Sequence, residues 1–229
     1  MGLFSFFGKN RKQDNGKPPG DSSVLPPNTR AKAAVAELES RGYFNYASPE
    51  VTEEMKLVMA KDLLRGIIPS IRMDKAPYKS LDLRYFGLDG EDLFEQGGVL
   101  YTLEQMQPTF NKIGVVLKIT DHLEEWDNKH QWLNHEISIN GKRYILFHHF
   151  TGYGWGEAAQ RFANMINDQL ELQGSVERLF LSSSGNDGCC IFLNEQLYRF
   201  ISPYITDHWE RILPVDEWCK VMNVSLEEI

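Results

Sequence analysis

Asn140-Gly141 divides two runs of mixed apolar and polar residues, His135-Glu-Ile-Ser-Ile139 and Lys142-Arg-Tyr-Ile-Leu-Phe147. A type I′ hairpin turn needs positive φ at both central positions, and Asn followed by Gly is the pair that adopts it most readily. With these two as turn residues, Ile139 faces Lys142, Ile137 faces Tyr144 and His135 faces Leu146. Successive strand residues point to opposite sides, so Ile137, Tyr144 and Leu146 share the buried face.

The residues after this hairpin extend the pattern. A glycine-punctuated loop, Thr151-Gly-Tyr-Gly-Trp-Gly156, leads into Trp155, Ala158, Ala159, Phe162, Ile166 and Leu170. Steps of three and four place these on one stripe of a helix over Gly156 to Leu172, with Gln160, Arg161, Asn164, Asn167, Asp168 and Glu171 off it. Gln173-Gly174 supplies a stop. Glu177 to Leu181 and Cys189 to Leu193 then read as a second hairpin across the polar turn Ser182 to Gly188. Asn194 is placed to cap a helix over Glu195 to Ile201. Hairpin, helix, hairpin predicts an α+β fold, with an antiparallel sheet of hairpins packed against a long amphipathic helix.

Upstream, Ala31, Ala34, Val35 and Leu38 form a helix stripe, and Ser48-Pro49 opens a second helix carried by Val51, Met55, Met59 and Leu63 and stopped near Gly66. This N-terminal helical pair, joined by Tyr43-Phe-Asn-Tyr46 as core filling, is expected to lie against the sheet. Signals weaken between the pair and the first hairpin. Leu81 to Phe86 reads as a strand and Glu91 to Gln96 as a short helix. Thr102-Leu-Glu-Gln105 has capping-box spacing, which starts a helix there that runs to Lys112 and bends at Pro108. Gly114 to Thr120 reads as a strand, and the polar stretch His122 to Gln131 as a loop or irregular helix. Pro203 to Pro214 is irregular, and Val215 to Met222 closes the chain with a short helix.

Composition sets the domain plan. Residues 8–28 are dense in Gly, Pro, Lys, Asn, Asp and Ser, too polar to offset the entropy of ordering, so residues 1–27 are expected to form a disordered tail ahead of a single α+β domain over 28–229. The tail opens with Leu3, Phe4, Phe6 and Phe7 and continues into a basic tract, a combination suited to weak contact with a membrane surface. It lacks the Ser or Thr at position 6 of a myristoylation signal. No run reaches the roughly 18 apolar residues of a membrane span. Without an export signal, and with three irregularly spaced cysteines, a cytoplasmic location with reduced thiols is expected.

The chain carries a net charge of −8, but its first twenty residues carry +3, which leaves −11 on the remaining 209. An acidic body argues against nucleic acid as partner, because affinity for phosphates rests on clustered Lys and Arg. It suits a basic protein partner.

Motifs for catalysis are sparse. Gly152-Tyr-Gly-Trp-Gly156 entering a helix lacks the Gly-Lys-Ser/Thr of a phosphate loop and the spacing of a dinucleotide fingerprint, and Glu157 in the first turn would repel an anion. The histidines available to a metal are His122, His130, His135, His148 and His149. His148 and His149 are adjacent and so point apart in a strand, and no His-Glu-x-x-His or paired Cys-x-x-Cys occurs. The sequence therefore assigns no metal, no cofactor and no catalytic residue. Cys189 and Cys190 sit in an apolar strand where alternation buries one of them.

What remains is a recognition surface: Tyr153 and Trp155 on the glycine loop, Asn186 and Asp187 on the second hairpin turn, and Glu171 outside the helix stripe. The function expected on these grounds is a non-catalytic protein-binding domain, immunity- or adaptor-like, that neutralises or escorts a basic partner. The alternative is a small hydrolase with a Cys/His or His/Asp site assembled across the two hairpins, with His149 as base.

Overall fold

The computed structural model describes residues 27–66, 82–183 and 188–225. The N-terminal segment 1–26, with its Phe-rich start and basic tract, lies outside the described residues, as do Leu81 and the turn residues 184–187. In chain order the elements are α1 (Pro27–Ser40), a 3-10 turn (Tyr43–Tyr46), α2 (Pro49–Leu64), β1 (Tyr85–Gly87), α3 (Gly90–Phe94), α4 (Gly98–Ile113), β2 (Ile119–Asp127), β3 (Trp132–Ile139), β4 (Lys142–Phe150), α5 (Trp155–Leu172), β5 (Glu177–Ser182), β6 (Cys189–Asn194), α6 (Glu195–Ile201), a second 3-10 turn (Ser202–Tyr204) and α7 (Val215–Met222). The architecture is α+β. No helix among the described residues is long and apolar enough to cross a membrane.

The strands form two antiparallel three-stranded sheets rather than one, in the orders β1-β6-β5 and β2-β3-β4. α5 connects them in sequence and packs against both. Its Phe162, Ala163, Ile166 and Leu170 share one core with Ile137, Tyr144 and Leu146 of the second sheet and with Leu179, Leu181, Cys190 and Phe192 of the first. The opposite face of the first sheet, with Phe180, Cys189, Ile191 and Leu193, packs on α1, α2 and α6 through Leu38, Met55, Met59 and Leu197. Burial therefore runs along β5 and β6 with breaks at Arg178 and Asn194, whereas β3 alternates between buried and half-buried residues. A sheet covered on both faces loses the alternation that a sheet covered on one face keeps.

These layers explain several departures from the sequence expectations. Gln160 and Arg161, placed off the α5 stripe, are buried, because this helix is enclosed by two sheets instead of resting on one. Cys189 and Cys190 are both buried because the first sheet is covered on both faces, Cys190 toward α5 and Cys189 toward α1, α2 and α6. The first hairpin turns at Asn140 and Gly141 with positive φ at both residues, and pairs Ile139 with Lys142 and Ile137 with Tyr144. An irregularity beyond Glu136 then shifts the register, so His135 faces Phe147 and not Leu146. α4 starts at Gly98, a turn before the proposed capping box, behind Gly97 in the left-handed region. The strand expected over Gly114 to Thr120 starts only at Ile119, and it continues through most of the stretch expected to be irregular.

Asn194 does cap α6, accepting from the Leu197 amide at 3.0 Å. The Tyr43–Tyr46 turn is more than core filling. Arg84, buried, bonds Glu177 at 2.9 Å, donates to the carbonyls of Tyr43 and Phe192, and lies 4.0 Å over the Tyr46 ring. Tyr46 in turn donates to Glu177, and Tyr43 to Asp82. A buried ion pair of this sort persists where its remaining lone pairs and protons are also satisfied.

Candidate metal centre

β2 contributes the residues that matter here. It pairs with β3 so that Glu124 faces His135 and His122 faces Ile137. His122 and Glu124 are two apart on β2 and therefore share a face, and His135 meets both from across the pair, one directly and one diagonally. That face is the one on which Leu133, His135, Ile137 and Ile139 are buried.

The three side chains converge. His122 Nε2 and His135 Nε2 are 3.0 Å apart. Glu124 Oε2 lies 3.9 Å from His122 Nε2, and Glu124 Oε1 lies 3.7 Å from His135 Nδ1. One ligand atom from each residue falls within 4.8 Å of the others, a span that two metal–ligand bonds of about 2.1 Å each nearly cover. His135 is fully buried, while the Glu124 and His122 side chains are 7% and 20% exposed. The Gly97 amide donates to Glu124 Oε2 at 2.8 Å, fixing the carboxylate from the joint between α3 and α4.

Glu124 Oε1 and His135 Nδ1 are buried and have no hydrogen-bond partner among the described residues. Such atoms are uncommon in a folded chain and mark a missing partner. Burial first, and the neighbouring His122 second, push the His135 imidazole down to about 4, so it is neutral at neutral pH, the form in which an imidazole ligates a metal. Two neutral imidazoles and one carboxylate form a donor set suited to Zn²⁺, Fe²⁺, Co²⁺ or Mn²⁺ and poorly matched to Mg²⁺ or Ca²⁺, which take oxygen ligands. Three protein ligands leave at least one coordination position open.

Beside the triad is a pocket of about 160 Å³ lined by Phe94, Gln96, Glu124, Trp126 and Leu133. Trp126 continues the β2 face past Glu124, and Leu133 continues the β3 face past His135, so the pocket and the triad lie on one surface of the same strand pair and share Glu124.

The residues expected to bind a partner lie elsewhere. Tyr153 is 84% exposed and Trp155 37%, their rings in edge contact at 6.1 Å. Glu171 is exposed and paired with Arg178 at 3.6 Å. Asn186 and Asp187 lie outside the described residues. The glycine loop serves close packing, because a Cβ on Gly154 would sit 2.3 Å from a ring carbon of Phe94. His148 and His149 stack on one another at 4.0 Å, and His149 stacks on Trp132, which stacks on His130. Positive φ at His149 breaks the alternation that would have sent the two rings apart. Cys189 and Cys190 are in the first sheet and these histidines in the second, while Cys219 lies on α7. Burial, with the neighbouring Cys189 adding, pushes the Cys190 thiol well up.

Of the triad, His122 and His135 were visible as candidate ligands, but Glu124 was not. The signal that would have found it is His-x-Glu on one strand with a third ligand at the facing position of the next. Comparison with known proteins finds no family model, no curated protein and no solved structure that matches the chain.

Proposed function

We propose that this chain binds one divalent transition-metal ion through His122, Glu124 and His135, and that its activity depends on that ion. The observation that carries the reading is the convergence of the three side chains: Glu124 Oε1 and His135 Nδ1 are buried, 3.7 Å apart and without a hydrogen-bond donor among the described residues, and His122 Nε2 lies 3.0 Å from His135 Nε2 and 3.9 Å from Glu124 Oε2. An ion held by three protein ligands acts as a Lewis acid, and where its open position takes water it lowers that water's pKa toward about 7.

The test uses the full chain, stripped with a chelator, dialysed, and titrated calorimetrically with Zn²⁺ and Co²⁺. One ion per chain is expected, and excess Mg²⁺ should not compete. Glu124→Gln keeps the side chain's shape and its capacity to accept from Gly97, and should weaken binding by about a hundredfold or more, at least the loss seen when outer-shell partners are removed. Absence of uptake by the wild-type chain would overturn the reading. A water molecule donating to both atoms would then be what fills the gap.

A second reading, the non-catalytic recognition of a basic protein by this acidic chain, is favoured by Tyr153 and Trp155, an aromatic pair exposed on a loop. It expects Tyr153→Ala to cut recovery of a basic protein that co-purifies with the full chain, in a salt-sensitive manner. Equal recovery with the wild-type chain counts against it.

A further inference from the structure

Resting on the metal reading, we infer that the pocket beside the triad receives a small monocarboxylate with a flat apolar body, one carboxylate oxygen entering the ion's open position. Charge is the first argument. A divalent ion held by one carboxylate and two neutral imidazoles keeps a net charge of +1, and Glu124 and His135 are both buried beside it. A monoanionic oxygen donor brings that site to neutrality, whereas a neutral ligand leaves the charge uncompensated in a poorly solvated place.

The walls supply the second argument. Phe94 and Leu133 are apolar and Trp126 largely so, and among the described residues that line the pocket Glu124 is the one charged side chain, with Gln96 polar and uncharged. Leu133 is buried and Trp126 is 42% exposed, so the wall is continuous with the core on one side and open on the other. Nothing in this lining recognises a second charge, a phosphate or a sugar. The Gln96 amide can donate to the carboxylate's other oxygen.

Size is the third argument. A pocket of about 160 Å³ is close to the volume of an apolar cavity, about 150 Å³, that accommodates a benzene molecule. The body is therefore of the order of one six-membered ring, which can stack on or meet the edge of Trp126 and Phe94. The pocket is open on the Trp126 side, so this volume sets the size of the part that enters it.

Benzoate is the probe, added to the Co²⁺-loaded full chain while the visible Co²⁺ spectrum is recorded. A saturable change in the spectrum is expected with benzoate. Acetate keeps the charge but not the ring, and benzamide keeps the ring but not the charge. Each should bind at least about tenfold more weakly, roughly 1.4 kcal/mol. In Trp126→Ala the spectrum before benzoate reports metal loading in the same sample, and the benzoate midpoint should rise by about tenfold or more per loaded site. If Co²⁺ binds and benzoate leaves its spectrum unchanged, or acetate and benzamide match it, the carboxylate assignment is wrong and the metal site stands. If Co²⁺ does not bind, both fall together, since the carboxylate has lost its anchor.

Discussion

Asp168 shows how a single side chain holds α5 to the second sheet. Lys142 donates to its Oδ2 at 2.7 Å, Tyr144 donates to the same oxygen, and Gln169 donates to the Tyr144 hydroxyl at 2.5 Å. Burial works against the ionised carboxylate, but the hydrogen bonds from Lys142 and Tyr144 outweigh it and hold its pKa below the ordinary value. A carboxyl with a depressed folded-state pKa contributes stability above its unfolded pKa and loses it as pH falls through the folded one. Asp168→Asn should therefore be less stable than wild type at pH 7 by about 1 kcal/mol, the scale of a charged bond at a partly exposed site. The gap should begin to narrow as pH drops below about 4, where the carboxyl of the unfolded chain takes up its proton while the folded one stays ionised, and should close as pH falls through the lower folded pKa. Denaturant midpoints of both chains across pH 3 to 7 check this, and a gap constant over that range would show that the charge contributes nothing.

Among the elements, those with strong local chemistry were legible. The turn at Asn140-Gly141, the α5 helix and the Asn194 cap each carry their instruction within a few residues, and each stands where the sequence placed it. The division of the strands between two sheets was not legible, because a burial pattern reports how many faces are covered only after the covering layers are known. β2 failed for a related reason. As an edge strand it exposes Leu123 and Glu125 outward, and on its other face carries His122 and Glu124 instead of aliphatic residues, so no hydrophobic alternation marks it. In its sequence, Thr120-Asp-His-Leu-Glu-Glu-Trp126, two of the inward positions, His122 and Glu124, are polar. Locally inconsistent stretches of this kind concentrate at functional sites, where chemistry takes precedence over packing. The candidate centre was thus hidden by the same property that makes it a candidate.

Across the molecule, the triad draws together three segments distant in sequence: β2 with His122 and Glu124, β3 with His135, and the α3–α4 joint through the Gly97 amide. An ion bound there favours the folded chain alone, because the unfolded chain cannot hold the three ligands in place, so its binding free energy adds to stability. At a free metal concentration a hundredfold above the dissociation constant the gain is about 2.7 kcal/mol. For a chain of this size each kcal/mol moves the melting temperature by about 2 to 4 °C. Stripping the ion with a chelator should therefore lower the melting temperature by about 5 to 10 °C, and restoring Zn²⁺ should recover it. Glu124→Gln, which cannot hold the ion tightly, should melt at one temperature with and without the chelator. The comparison separates a metal effect from a general effect of the chelator, which would shift both proteins alike. A wild-type chain whose melting temperature ignores chelator and metal would show that the three donors meet without recruiting an ion.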